Sequence, residues 1–156
     1  MKKTQCFLGL LIVLMLIACD SKKVFEDVYD FSEVGWNMDT IPSFTFEIEN
    51  SQPKRVLLNV INSIEFKDQN LYVIYYLIGP NGDEVKSELI NIQLFDAITG
   101  KPFGEGNSVF QHSVELLPQY KFDQTGEYTI KVAHYMREAY LKNVPSIGIR
   151  VERLVN

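Results

Sequence analysis

The sequence predicts an all-β fold: an antiparallel β-sandwich of about seven to eight strands, with one short helix near the C-terminus and an export signal at the N-terminus. Three observations carry this. Apolar and polar residues alternate with period two, as in Phe44-Thr45-Phe46-Glu47-Ile48-Glu49, which is the pattern of a half-buried strand. Turn-forming residues interrupt the alternation at short intervals, at Asn50-Ser51-Gln52-Pro53, at Gly79-Pro80-Asn81-Gly82 and from Gly100 to Gly106. Helical spacing appears only from Met136 to Val144, where Pro145 stops it after two turns at most. No internal repeat is visible.

Residues 1–18 read as a leader. Lys2 and Lys3 supply a positive start, and Phe7 to Ile17 is an apolar run broken only by Gly9, too short for a membrane span, which needs roughly 17–25 residues. The run ends in Leu16-Ile17-Ala18-Cys19, which matches the bacterial lipobox. The match implies a diacylglyceryl thioether on Cys19, cleavage after Ala18, and acylation of the new amine. Two or more acyl chains hold a protein on a bilayer durably, whereas one holds it marginally. The membrane is therefore an expected partner, through a covalent lipid. Residues 19–39 read as a lipidated tether that docks on the domain through Tyr29, Phe31 and Trp36, and residues 40–156 as the sandwich.

Within the sandwich, Arg55 to Ile61 is apolar on both faces and reads as a central strand. Leu71 to Ile78 is the strongest strand by residue type. Pro80 and Gly82 close it into a hairpin with Val85 to Phe95. Ala97 to Asn107 is an exposed connection. Ser108 to Leu116 is a strand with Phe110, His112, Val114 and Leu116 on one face, ended by Pro118. Gly126-Glu127-Tyr128 opens the next strand, and a Tyr at that place in a sandwich bonds back to the connecting loop. Ile147 to Glu152 closes the chain.

Composition excludes several functions. The 156 residues carry a net charge of −5, and loss of two lysines with the leader takes it to −7, which disfavours nucleic acid. Cys6 leaves with the leader and Cys19 carries lipid, so neither a disulfide nor a thiolate metal site is expected. No metal and no cofactor is expected. Nor is any catalytic residue: Gly-x-Ser-x-Gly and His-x-x-x-His spacings are absent, and His112 and His134 each read as a core or rim histidine with its hydrogen bonds satisfied. The domain is read as a non-enzyme.

The segment His134-Tyr135-Met136-Arg137, followed by Leu141, Val144, Gly148, Ile149 and Arg150, stands out from this background. Together with Cys19-Asp20-Ser21-Lys22, Gly35-Trp36-Asn37 and Gly126-x-Tyr128, it resembles the gliding-motility lipoprotein H family of Gram-negative bacteria across nearly the whole mature chain. The resemblance implies an accessory lipoprotein of the gliding machinery, acting by binding other envelope or gliding-machinery proteins. It also implies a place in the cell envelope outside the cytoplasm, with the outer membrane favoured over the inner. Trp36, His134 and Arg137 are the candidate binding or structural residues, Arg137 in the structural case pairing a carboxylate at a strand end. The alternative is a surface glycan-binding sandwich, with Trp36, Tyr75, Tyr76 and Tyr140 available to stack sugars.

Overall fold

A computed structural model describes residues 21–154, so the leader and Cys19 lie outside the described residues. Eleven strands run in chain order: β1 Lys23–Asp30, β2 Trp36–Asn37, β3 Ser43–Ile48, β4 Lys54–Ser63, β5 Asn70–Ile78, β6 Glu84–Gln93, β7 Glu105–Gly106, β8 Val109–Tyr120, β9 Gly126–His134, β10 Tyr140–Leu141 and β11 Ser146–Arg153. One sheet has the order β1-β11-β4-β8-β7 and the other β3-β9-β5-β6, with β2 and β10 forming a two-stranded ribbon. All pairings are antiparallel. The core lies between the two sheets, with Phe44, Phe46 and Ile48 from β3, Val56, Leu58 and Val60 from β4, and Leu71, Val73, Tyr75 and Leu77 from β5 in one cluster. The predicted sandwich is thus the observed fold.

Local chemistry explains the main elements. β4 is flanked by β11 and β8, as expected of a central strand, with Val56, Leu58 and Val60 in the core and Leu57 buried on its other face. In the β5–β6 hairpin the Gly82 N–H donates to the Gly79 carbonyl and the Gly79 N–H to the Asp83 carbonyl, each at 2.9 Å. Gly82 takes φ +84°, a left-handed conformation that favours Gly. Between β8 and β9, the Tyr128 hydroxyl donates to the Gln124 carbonyl at 3.0 Å, so this Tyr does bond back to its loop.

Three expectations change. Met136 to Val144 forms no helix: its Tyr140–Leu141 pairs with Trp36–Asn37, and the Met38 N–H reaches the Ala139 carbonyl at 2.8 Å. A stretch this short gains too few internal hydrogen bonds to offset helix nucleation, and pairing with β2 satisfies the same groups while burying Leu141 and Val144. Pro118 does not end β8. The register between β4 and β8 shifts twice near it, and a bulge is one of the few places in a sheet where proline fits. From Lys23 onward the segment expected as tether belongs to the sandwich, because β1 pairs with β11 along its length. Phe25 and Phe31 pack against the core, a gain that a free tether would forgo.

Candidate functional site

The Trp36, His134 and Arg137 set divides at the end of β9. Trp36 is fully buried: Phe31 stacks on it at 4.7 Å and His134 meets it edge-on at 5.2 Å. Its Nε1 donates to the Thr40 carbonyl at 2.9 Å. Gly35 makes this placement possible. It takes φ +113°, and a Cβ there would come within 2.6 Å of the Leu141 carbonyl oxygen. Gly35-Trp36-Asn37 is therefore the piece that docks β2 on β10.

His134 Nδ1 accepts the Met136 N–H at 3.4 Å, while Nε2 is buried with no partner in good hydrogen-bond geometry. Burial pushes its pKa below the ordinary histidine value, the Trp36 backbone and the Glu138 carboxylate pulling the other way. Of the next residues, Met136 packs against the core while Tyr135 and Arg137 turn outward. The Tyr135 N–H holds the Tyr72 carbonyl at 2.7 Å and leaves its ring exposed, and Arg137 is exposed with no ion-pair partner among the described residues. The structure thus brings Trp36 and His134 together and leaves Arg137 outside. Its expected carboxylate partner is not in place, because Arg137 follows the strand end on a turn that faces solvent. Beside it lies a concavity of about 560 Å³ lined by Tyr72, Leu89, Tyr135, Met136 and Arg137, with Asp68 and Glu138.

The second histidine is elsewhere. His112 lies on β8, in the other sheet, buried and beside a groove of about 580 Å³ between β6 and β8. Its Nε2 has no partner, and Gly104 packs so tightly over it that a Cβ there would come within 2.6 Å. Burial lowers its pKa as well. Both histidines occupy core positions as expected, but neither has its hydrogen bonds satisfied. Neither imidazole bonds a hydroxyl, a thiol or a carboxylate among the described residues. No group of three or more His, Cys, Asp and Glu is placed to hold a metal ion among those residues.

Sequence reasoning missed a charge ladder on the outer face of the five-stranded sheet. Glu26 on β1, Arg150 and Glu152 on β11, Arg55 on β4 and Glu115 on β8 alternate in sign across four strands. Arg150 bonds Glu26 at 3.1 Å and Glu152 at 2.6 Å, and Arg55 bonds Glu115 at 3.3 Å and also Glu152. Arg55, then Arg150, hold the buried Glu152 carboxyl below the ordinary range, against its desolvation. Polar residues at alternate positions of β11 hint at an outward face. The pairing itself needs the register Glu26↔Arg150 and Glu152↔Arg55, which no sequence pattern supplies.

The aromatics proposed for sugar stacking are mostly withdrawn. Trp36 and Tyr75 are fully buried, Tyr76 is half-buried, and Tyr140 alone is exposed. Tyr75 instead directs its hydroxyl to Glu88 at 3.3 Å, and burial raises its pKa.

Fold and site together define an antiparallel sandwich domain that spends one half of its distinguishing motif on the core and shows the other half to solvent at one end. Residues 23–151 match the family model described as GldH lipoprotein, and the chain belongs to that family. It is similar to the gliding motility lipoprotein GldH homolog of Christiangramia forsetii, 22% identical over 159 residues that cover 96% of each chain. It is also 25% identical to gliding motility lipoprotein GldH of Flavobacterium johnsoniae, over 92% of this chain and 93% of that one. Among solved structures it is similar to CBM27-1 of Caldicellulosiruptor saccharolyticus, solved in complex with mannohexaose, at 12% identity and a TM-score of 0.38, covering 88% of this chain and 87% of the other. At that TM-score the likeness carries no argument about ligand.

Proposed function

We propose that this chain is a lipid-anchored accessory of the gliding-motility machinery in the cell envelope, and that it works by binding another envelope protein without catalysis. The observation that carries the reading is the match to gliding-motility lipoproteins along nearly the whole chain, joined to a lipobox that ends at Cys19. Two features support the absence of chemistry. A general base must come within hydrogen-bond reach of the proton it takes; His134 has its Nδ1 occupied by the Met136 N–H and its Nε2 buried, and His112 has its Nε2 buried beneath Gly104. Burial also disfavours their charged form. The glycan alternative loses its platform, since two of its four rings are core side chains.

The test is a spreading assay on a deletion strain complemented with Cys19→Ser, His112→Gln and His134→Gln, with fatty-acid labelling and protein level followed in parallel. The expected result is no spreading for the deletion, no lipid label for Cys19→Ser, and near-normal spreading for both histidine variants. Normal spreading in the deletion strain removes the motility role. Full loss in a stably folded histidine variant removes the non-catalytic reading, and full label on Cys19→Ser removes the anchor.

A further inference from the structure

The two ends of this sandwich differ in a way that the lipid anchor makes meaningful. Only three residues lie between Cys19 and Lys23, the first residue of β1, and a chain of four residue steps reaches about 14 Å at most. The start of β1 therefore stays near the bilayer. β1 rises about 25 Å to Asp30, and the register Lys23↔Glu152, Arg153↔Lys54 and Lys54↔Tyr120 places the turns 49–53 and 121–125 at the anchored end. At the opposite end lie the segments 31–42, 64–69, 94–108 and 135–145, because Asp30↔Ser146 and Ser63↔Val109 close the strands there.

Exposed apolar side chains are concentrated at that far end. Of the fifteen large hydrophobic residues exposed among those described, eight sit in these four segments, Val34, Met38, Ile64, Ile98, Phe103 and Tyr135 among them, and Ile98 is 95% exposed. The turns 49–53, 79–83 and 121–125 at the anchored end expose none, and Val85 and Leu154 are the exposed apolar residues beside them among those described. The concavity beside Arg137 opens at the far end, as does one lined by Phe31, Gly35, Ser63 and Pro145. Exposed apolar surface gathered in one region marks an interaction site.

The charge of the far end selects among occupants. Its four segments hold seven Asp and Glu against four Lys and Arg, a net of −3. An acidic rim repels an anionic bilayer surface and complements a basic one. The leader side of the chain cannot cover the pole either, since it joins at the other end. We propose that the membrane-distal pole is the docking surface, and that its occupant is a different envelope protein presenting an apolar patch rimmed by lysine and arginine. The proposal rests on the protein-binding reading above and adds the surface and the partner's chemistry.

The experiment places a photo-cross-linking amino acid in the full lipidated protein in living cells, singly at Val34, Ile98 and Tyr135, and for comparison at Val85, Gln119 and Leu154. The expected result is one heterologous protein adduct shared by the three distal positions. Its yield should exceed that at the comparison positions about tenfold, and the cross-linked partner peptide should carry Lys or Arg. Ile98→Asp combined with Val34→Asp should abolish both the Tyr135 adduct and spreading at unchanged protein level and melting temperature, whereas Val85→Asp should abolish neither. Adducts at the comparison positions alone would overturn the pole while leaving protein binding intact. A lipid adduct at the distal positions would assign the pole to a bilayer, and an adduct of twice the chain mass would assign it to a second copy; either overturns the proposal. No protein adduct at any position, with spreading intact, would overturn this proposal and the protein-binding reading together.

Discussion

Replacing Glu152 by Gln isolates the charge ladder, because the amide keeps the shape and removes the charge. In the parent, the Glu152 side chain is 8% exposed and is held by Arg150 and Arg55, whose side chains are 20% and 36% exposed. Hydrogen bonds to charged groups contribute roughly 1.5–3 kcal/mol, and exposed ion pairs about 0–1 kcal/mol. Both arginines keep part of their hydration and can recover more of it, so the expected loss falls between these limits, about 1–2 kcal/mol. For a domain of this size that is a drop of about 4–8 °C in melting temperature. The pH dependence gives the sharper check. A carboxyl whose folded pKa is lowered contributes stability that is fully present above its unfolded value and is lost as the pH falls through its folded value. The difference between parent and Glu152→Gln should therefore be full near neutrality and shrink as the pH drops below the ordinary value of 4.5. Thermal unfolding of both proteins, followed by circular dichroism near neutrality and at about pH 4, measures it. Equal melting temperatures near neutrality, or a difference that persists unchanged in acid, would refute the reasoning.

The two buried histidines predict a separate acid effect at higher pH. Their folded pKa values lie below the ordinary 6.5, so the unfolded chain binds the extra protons, and stability present above about pH 6.5 is lost as the pH falls below it. The urea midpoint should be lower at about pH 5.5 than at about pH 7.5, and a His112→Gln, His134→Gln double variant should show a smaller fall; a parent midpoint flat across that range counts against it. In the core, Ile130→Ala should cost roughly 2–5 kcal/mol and Tyr128→Phe about 1 kcal/mol, the latter through loss of the Gln124 contact. Urea denaturation reads both, and an unchanged midpoint for Ile130→Ala would mean that its side chain does not face the core.

The strands were legible because a sheet with one face in a core imposes period two on its residues. Phe44, Phe46 and Ile48 announce their common face without reference to any partner, and all three are buried. The hairpin at Pro80 and the Tyr128 corner were legible for a related reason, since a tight turn places local demands on residue type. The site was only half legible. His134-Tyr135-Met136-Arg137 could be singled out as a unit and His134 read as a core or rim residue, but nothing in its order said that the imidazole would meet Trp36 or that Arg137 would turn to solvent without a carboxylate partner among the described residues.

What the sequence determined by itself was therefore what depends on neighbours along the chain: the alternating strands, the turns and the all-β class. Tertiary structure alone decided what depends on residues far apart in the chain. It drew β1 into the sheet, turned Met136 to Val144 from a helix into the partner of Trp36–Asn37, and lined up Glu26, Arg150, Glu152, Arg55 and Glu115. The reason is that alternation specifies which face a side chain takes, whereas register and strand order are chosen by the best joint burial of all the strands, a quantity that no single stretch of sequence contains.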